Sequence, residues 1–486
     1  MLRIQGMKRS KKASLICGLA ASVVLLALSG CQGIMPSATS TDPPMQGAVN
    51  HIIFMLQENH SFDSYFGKLN DYRASQGLGR DVDDLEATFF NPADDGTFVG
   101  NFHIPTACIF DDTAAWQETW GDMNRFDSPN GPLLLDGFAH TGGLFALDNG
   151  LADTKGKRAM GFYDSNDLTS PYFFATQFAT SDRFYTPAPL QTAVVRLWSM
   201  GATSQGFLRP LSETGNHLTA KTIFELLDDA GVTWKIYSVD VGPDGKLLTS
   251  LRNFQPYGLH QESRIVPISE YFADLANGTL PQFAYIEPGF ISNLDEHPGA
   301  GTPITKGAQF VATLIQALIN STSWKDSIFI EAFDEGGGLF DHVGPMIDGK
   351  PIQALAKHGD GQAVGPAMYP SDATPQHVPN PDGIRPRDIR GGDPAGNFTR
   401  TGFRVPLIIV SPFAKPHFVS HTPMDYTAVL KFVEMRFGLP SLNQRDAAQT
   451  DMSEFFDFVN SPNLTPPAPP PQPMHLPCNP LLASAP

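Results

Sequence analysis

Two stretches of the chain change from apolar to acidic within one or two residues. Ile52-Ile53-Phe54-Met55-Leu56 runs into Gln57-Glu58-Asn59-His60-Ser61-Phe62-Asp63, and Ile328-Phe329-Ile330-Glu331-Ala332-Phe333 runs into Asp334-Glu335-Gly336-Gly337-Gly338. A β-branched, aromatic-rich run of this length predicts a buried strand, with the polar group delivered at its carboxyl end. The same reading predicts strands over 49–56, 233–239, 282–286, 327–333 and 405–410. Helical periodicity lies between them. Ile223, Phe224, Leu226 and Leu227 share a face that Thr219 could cap and Gly231 could end. Phe310, Val311, Leu314, Ile315 and Leu318 form one stripe over 307–320; Val429, Leu430 and Val433 form another over 425–437, stopped by Gly438. Strands separated by helix-sized patterns predict an α/β fold, a doubly wound and largely parallel sheet with helices on both faces. Ligands in such sheets bind at the carboxyl ends of the strands.

Two regions carry no period. Residues 358–398 are rich in Gly, Pro, Asp and Arg, as expected of a lid or an insertion. Residues 460–486 are Pro-rich and read as a tail. At the other end, Arg3, Lys8, Arg9, Lys11 and Lys12 precede an apolar stretch from Ala13 to Leu28, closed by Leu28-Ser29-Gly30-Cys31. The stretch is short for a membrane span, so a signal peptide is favoured over a transmembrane anchor. The tetrapeptide resembles a bacterial lipoprotein signal, which would make Cys31 the lipidated first residue. Residues 32–46 then read as a tether, and the protein is expected to be exported and membrane-anchored, at the periplasmic face or cell surface.

Composition narrows the partners. A net charge of -17 over 486 residues argues against a nucleic-acid backbone. Of four cysteines, Cys17 leaves with the signal and Cys31 takes lipid, leaving Cys108 and Cys478. An exported compartment permits a disulfide between them; two buried thiols are the alternative.

The candidate chemistry is oxygen-rich. Glu58, the Asn59 amide oxygen, Asp334 and Glu335 are hard donors that suit calcium, magnesium or manganese, with zinc entering if imidazoles join them. Each cluster alone also reads as a helix cap; two at one sheet edge favour a divalent metal. Thr192 opens a helix-like stretch, Gln191-Thr192-Ala193-Val194-Val195-Arg196. It is either an ordinary cap or a nucleophile activated by the metal, with Arg196 as a phosphate clamp. His297, in Asp295-Glu296-His297-Pro298, is flanked by acids that would keep it protonated as a general acid. His342 is a further candidate for binding phosphate oxygen. His60, His103, His260 and His417 read as structural or surface groups.

In this order the blocks resemble the bacterial phosphoesterase family that includes non-haemolytic-type phospholipases C and a group of acid phosphatases. Gln57–Gly67 matches its opening block, with His60 where Arg is common. Asp182–Thr203 resembles its nucleophile segment and Asp295–Pro298 its acidic-His-Pro element. Trp324 through Asp334-Glu335-Gly336-Gly337 to Asp341-His342-Val343-Gly344-Pro345 is the most specific match, and Arg404–Pro412 with Val419–Asp446 resembles the closing blocks. The likeness spans about 49–446. It implies an alkaline-phosphatase-like fold, a metal held by Glu58, Asn59, Asp334 and Glu335, a transient phospho-enzyme on Thr192, and His297 serving the leaving group or binding phosphate. The implied substrates are phospholipids or small phosphate esters. Residues 47–459 would be the catalytic domain, carrying the 358–398 insertion.

The chain departs from that family twice. Val194-Val195 stands where a Pro-Asn pair usually precedes the Arg, and Asp111-Asp112-Thr113-Ala114-Ala115-Trp116 has Ala where a His is expected. Three readings compete: phospholipase C-like diester cleavage, which Thr rather than Ser at 192 favours; acid phosphatase action on monoesters; and a weakened, ester-binding lipoprotein. A sulfatase ranks last, because no Cys/Ser-x-Pro-x-Arg element stands near Thr192.

Overall fold

The computed structural model describes residues 45–125, 133–347, 350–353, 398 and 400–484. The predicted signal, nearly all of the tether and, apart from Phe398, the 358–398 insertion lie outside them. Eight strands form the central sheet: β1 His51–Gln57, β2 Ala179–Ser181, β3 Trp234–Ser238, β4 Ile265–Pro267, β5 Phe283–Glu287, β6 Ser327–Phe333, β7 Leu407–Val410 and β8 Phe418–Ser420. Their order is β8-β2-β7-β6-β1-β5-β3-β4. β7 runs antiparallel to both neighbours, while β6, β1, β5, β3 and β4 pair in parallel. The sheet is therefore mixed at one flank and parallel through its centre.

Central strands are buried on both faces, which is why they read as unbroken apolar runs. Ile52 through Leu56 are fully buried, and each such side chain contributes about 1.5–3 kcal/mol relative to exposure. β1 pairs β6 from His51↔Ser327 to Gln57↔Phe333. That register carries Glu58 and Asp334 off the same edge at the same level.

The helices need one correction. The helix at Ile223–Asp229 is capped by Thr222, not Thr219. Thr222 accepts from the Glu225 N–H, and the Glu225 side chain returns to the Thr222 N–H. This reciprocal capping box outcompetes a lone threonine three residues earlier. The Ile304–Ile319 helix starts three residues before the predicted stripe, and Tyr426–Phe437 ends at Gly438 as expected.

Cys108 and Cys478 form a disulfide, with Cα atoms 4.8 Å apart. It fixes the Pro-rich tail along the fold. Ala107 N–H donates to the Pro477 carbonyl at 2.9 Å, and Ser170 N–H to Gln472 Oε1 at 3.1 Å. Among the described residues no helix is long and apolar enough to cross a membrane.

Candidate active site

Glu58 and Asn59 leave β1 in a turn that the sequence makes tight. Asn59 adopts φ +60°, a left-handed conformation that Asn tolerates better than most residues. Gly337, at φ +65°, lies so close that any Cβ would strike the Asn59 carbonyl. Glycine there lets the two acid-bearing loops meet. Asn59 N–H donates to Asp334 Oδ1 at 3.0 Å, and Glu58 N–H to the Asp295 carbonyl at 2.8 Å.

Thr192 lies at the start of a four-residue helix, Thr192–Val195, and does not cap it; Gln191 holds the cap position. Its hydroxyl turns to the strand ends instead. Thr192 Oγ1 lies 3.0 Å from Glu58 Oε2 and 3.0 Å from Asn59 Oδ1, with its single proton to share between them. The loop before it is tied down by Arg445, whose Nη2 donates to the Pro187 carbonyl at 2.7 Å and to Asp425 Oδ2 at 2.6 Å.

The Asn59 amide joins a second candidate. Its Nδ2 lies 3.0 Å from His297 Nε2, while His297 Nδ1 donates to the Pro298 carbonyl at 2.7 Å. The Nδ1 bond leaves Nε2 facing the Asn59 amide. The two flanking acids do not both face it. Glu296 is buried and accepts from Gln57 Nε2 at 3.0 Å, and burial pushes its carboxyl up to about 8. Asp295 Oδ1 accepts from the His297 backbone N–H at 3.3 Å. Neither flanking carboxylate hydrogen-bonds the imidazole ring.

The two expected substrate contacts, Arg196 and His342, are both enclosed. Arg196 is 1 % exposed and its fork is turned onto the strand-end acids. Nε lies 2.9 Å from Glu58 Oε1 and 3.1 Å from Asp334 Oδ2, and Nη2 donates to the Leu56 and Gln57 carbonyls at 3.1 Å each. Its guanidinium pairs with both carboxylates. His342 is likewise enclosed. Nδ1 donates to Asp63 Oδ2 at 2.6 Å and Nε2 to Asp83 Oδ1 at 2.9 Å. Burial opposes its charge, but Asp63 and Asp83 outweigh it and carry the imidazole up to about 10. His342⁺ and Arg404, which donates to Asp63 and Asp341, form a buried ionic network that joins loops. His60 is structural as expected: its Nε2 meets the Glu296 carbonyl at 3.1 Å, and burial lowers it to about 3.

Glu58, Asp334 and Glu335, at the strand ends, are the acids that would hold a cation. Burial, then Asp334, pushes Glu58 well above the carboxylate range, against the pull of Arg196. Burial and then Asp334 do the same to Glu335, whose Oε2 accepts from Gly337 N–H at 2.5 Å. One guanidinium does not balance three buried carboxylates, and Asn59 Oδ1 adds a neutral oxygen; such a set suits a hard divalent ion. Among the described residues the three-residue groups already within ligand distance of one another are Asp63–Asp341–His342 and His103–Asp164–Asp167. The first is held by Arg404, and the second runs from exposed His103 to buried Asp167.

Other groups escaped the sequence reading. Glu287, at the end of β5, lies 3.7 Å from Arg196 Nη1; it carries the same apolar-run-to-acid signal as Glu58 and Asp334. Asp111 Oδ1 lies 3.8 Å from His297 Nδ1, a pairing across the chain that no local pattern announces. Near the expected histidine, Ala114 lines a cavity of about 10 Å³ with Thr119, Asp122 and Glu335, room for about one water.

The model of the Phosphoesterase family matches residues 49–440. Phospholipase C B of Mycobacterium tuberculosis is 28% identical over 457 residues, covering 85% of this chain and 79% of that protein. Non-hemolytic phospholipase C of Pseudomonas aeruginosa is 27% identical over 449 residues, covering 85% of this chain and 58% of that protein. A solved structure described as a protein in the alkaline phosphatase superfamily from Vibrio parahaemolyticus has TM-score 0.28 and 13% identity, covering 80% of this chain and 78% of that one.

Proposed function

The chain belongs to the Phosphoesterase family and is a phosphoric ester hydrolase, and from that premise we propose that it cleaves phospholipid-type phosphodiesters through Thr192 at a divalent-cation site. The observation that carries this reading is the Thr192 hydroxyl, held 3.0 Å from both Glu58 Oε2 and Asn59 Oδ1. A cation held by Glu58, Asn59, Asp334 and Glu335 would supply positive charge to the phosphate oxygens and favour the alkoxide of Thr192.

Thr192 Oγ1 bonds to phosphorus as the bond to the leaving alcohol breaks, and its proton leaves to solvent. The leaving alkoxide takes a proton from solvent. Water then cleaves the phosphothreonine. His297, whose Nε2 lies 3.0 Å from Asn59 Nδ2, would handle a proton of that water or of the leaving alcohol. Arg196 keeps Glu58 and Asp334 in place through its fork. Acid-quenching the protein during turnover of para-nitrophenylphosphorylcholine tests the intermediate. Mass spectrometry is expected to find the phosphorylcholine group on the Thr192 peptide. Turnover with an unmodified Thr192, retained in Thr192→Ala, would rule the nucleophile out.

We propose further that Cys31 carries a lipid anchor on an exported protein. The Cys108–Cys478 disulfide supports an oxidising compartment. Mass analysis of the mature N-terminus is expected to show an acylated Cys31. An N-terminus still starting at Met1 would oppose it.

A further inference from the structure

β5 and β3 are parallel neighbours, with Glu287 beside Ser238. Both continue past the sheet's carboxyl edge, as 288–293 and 239–241, next to the strand ends that carry Glu58 and Asp334. The first of these turns is rigidly held. Buried Asp240 accepts from the Ile291 N–H at 2.6 Å, from the Ser292 N–H at 3.3 Å and from the Ser292 hydroxyl. Leu294 N–H donates to the Gly289 carbonyl at 2.9 Å. Half-buried Phe290 places its ring 4.9 Å from the Arg196 guanidinium, the group that pairs with Glu58 and Asp334.

The next residue faces the other way. Ile291 is 62% exposed and Val241, beside Asp240, is 53% exposed. Single exposed aliphatic residues are ordinary on protein surfaces. These two lie on neighbouring segments that Asp240 ties together, and Phe290, next to Ile291, sets its ring against the Arg196 guanidinium. The exposure does not come from slack chain, since the backbone on both sides is hydrogen-bonded. Lys306, exposed, donates its Nζ to the Ser292 carbonyl at 2.7 Å and adds a cation beside the Ile291 turn. Apolar tips with a neighbouring ammonium complement the surface of a phospholipid aggregate, where acyl chains lie below phosphates.

We propose that Ile291 and Val241 form an interfacial lip that inserts into a phospholipid surface and brings the scissile phosphate to Thr192. This rests on the phospholipid reading of the active site. It makes Ile291 and Val241 specificity-determining for aggregated lipid over soluble ester, with no part in bond cleavage.

The test compares the intact chain with the Ile291→Ser/Val241→Ser double variant on two substrates. One is phosphatidylcholine in mixed micelles, and the other is soluble para-nitrophenylphosphorylcholine. Losing a buried aliphatic contact corresponds to about a tenfold change. The variant is expected to lose about tenfold in kcat/KM on micelles and stay within about twofold on the soluble diester. Equal losses on both substrates, or none on micelles, would overturn the lip. Absence of turnover by the unsubstituted protein on both would overturn the phosphodiester reading instead. In that case Ile291→Trp decides the lip without activity. Its emission is expected to shift to the blue on adding phosphatidylcholine vesicles, while a tryptophan at exposed Val459 does not shift. No shift at position 291, or an equal shift at both positions, overturns the lip.

Discussion

Glu331 shows what a single side chain does when its surroundings offer no partner. It lies inside β6 with 1 % exposure, and neither carboxylate oxygen has a hydrogen-bond partner. Burial first, and Glu296 second, push its pKa well above the usual range, so it binds a proton in the fold that it would not hold when unfolded. Stability then falls as pH rises from the ordinary carboxylate range toward the raised value, because the native state binds more protons. Glu331→Met is expected to raise the melting temperature at pH 8 more than at pH 4.5; an equal effect at both would contradict the protonated state. Arg196 is the opposite case. Removing it as Arg196→Ala leaves Glu58 and Asp334 without their cation, at a cost of about 3–5 kcal/mol in urea unfolding. A cost under about 1 kcal/mol would show that the pairing is weak. Sequence showed both residue types but not their partners. An arginine near a nucleophile reads as a phosphate clamp until its fork is seen on carboxylates.

At the scale of elements, the two apolar-to-acid transitions were legible because the strands are buried on both faces and end at one register. β6 matched the predicted bounds residue for residue. The Thr222–Glu225 capping signature was also present in the sequence, though an earlier threonine drew the prediction. The loops beyond the strands were not legible. Their geometry depends on pairs far apart in the chain, as with His342 and Asp63, 279 residues apart. These loops are joined by the network of His342, Asp83, Arg404, Asp63 and Asp341. His342→Asn keeps a donor of similar size and removes the charge between Asp63 and Asp83. It is expected to destabilise the fold by about 3–5 kcal/mol. Unchanged urea stability with lost activity would instead return His342 to the substrate.

Across the whole molecule, the disulfide is the longest-range covalent constraint among the described residues, closing a separation of 370 residues. It holds the Pro-rich tail near Asp111 and the loop after His297, since Cys478 Sγ lies 3.4 Å from the Ala300 carbonyl. Cys478→Ser is expected to lower stability by about 2–4 kcal/mol. Intact stability would mean that the tail's hydrogen bonds suffice alone. The α/β class and the order of the blocks were readable from sequence, because periodicity and strand-end acids are local. Which of Cys108 and Cys478's two fates holds was not readable, because it depends on a distance. The proposed reaction depends on Thr192, so the most direct measurement is hydrolysis of para-nitrophenylphosphorylcholine by the unsubstituted protein, by Thr192→Ala and by the chelated protein. Steady turnover that falls by at least about a thousandfold in Thr192→Ala and disappears on chelation, returning when a divalent ion is added, is the expected result. Turnover that survives in Thr192→Ala, or that is indifferent to chelation, would contradict a metal-assisted threonine nucleophile.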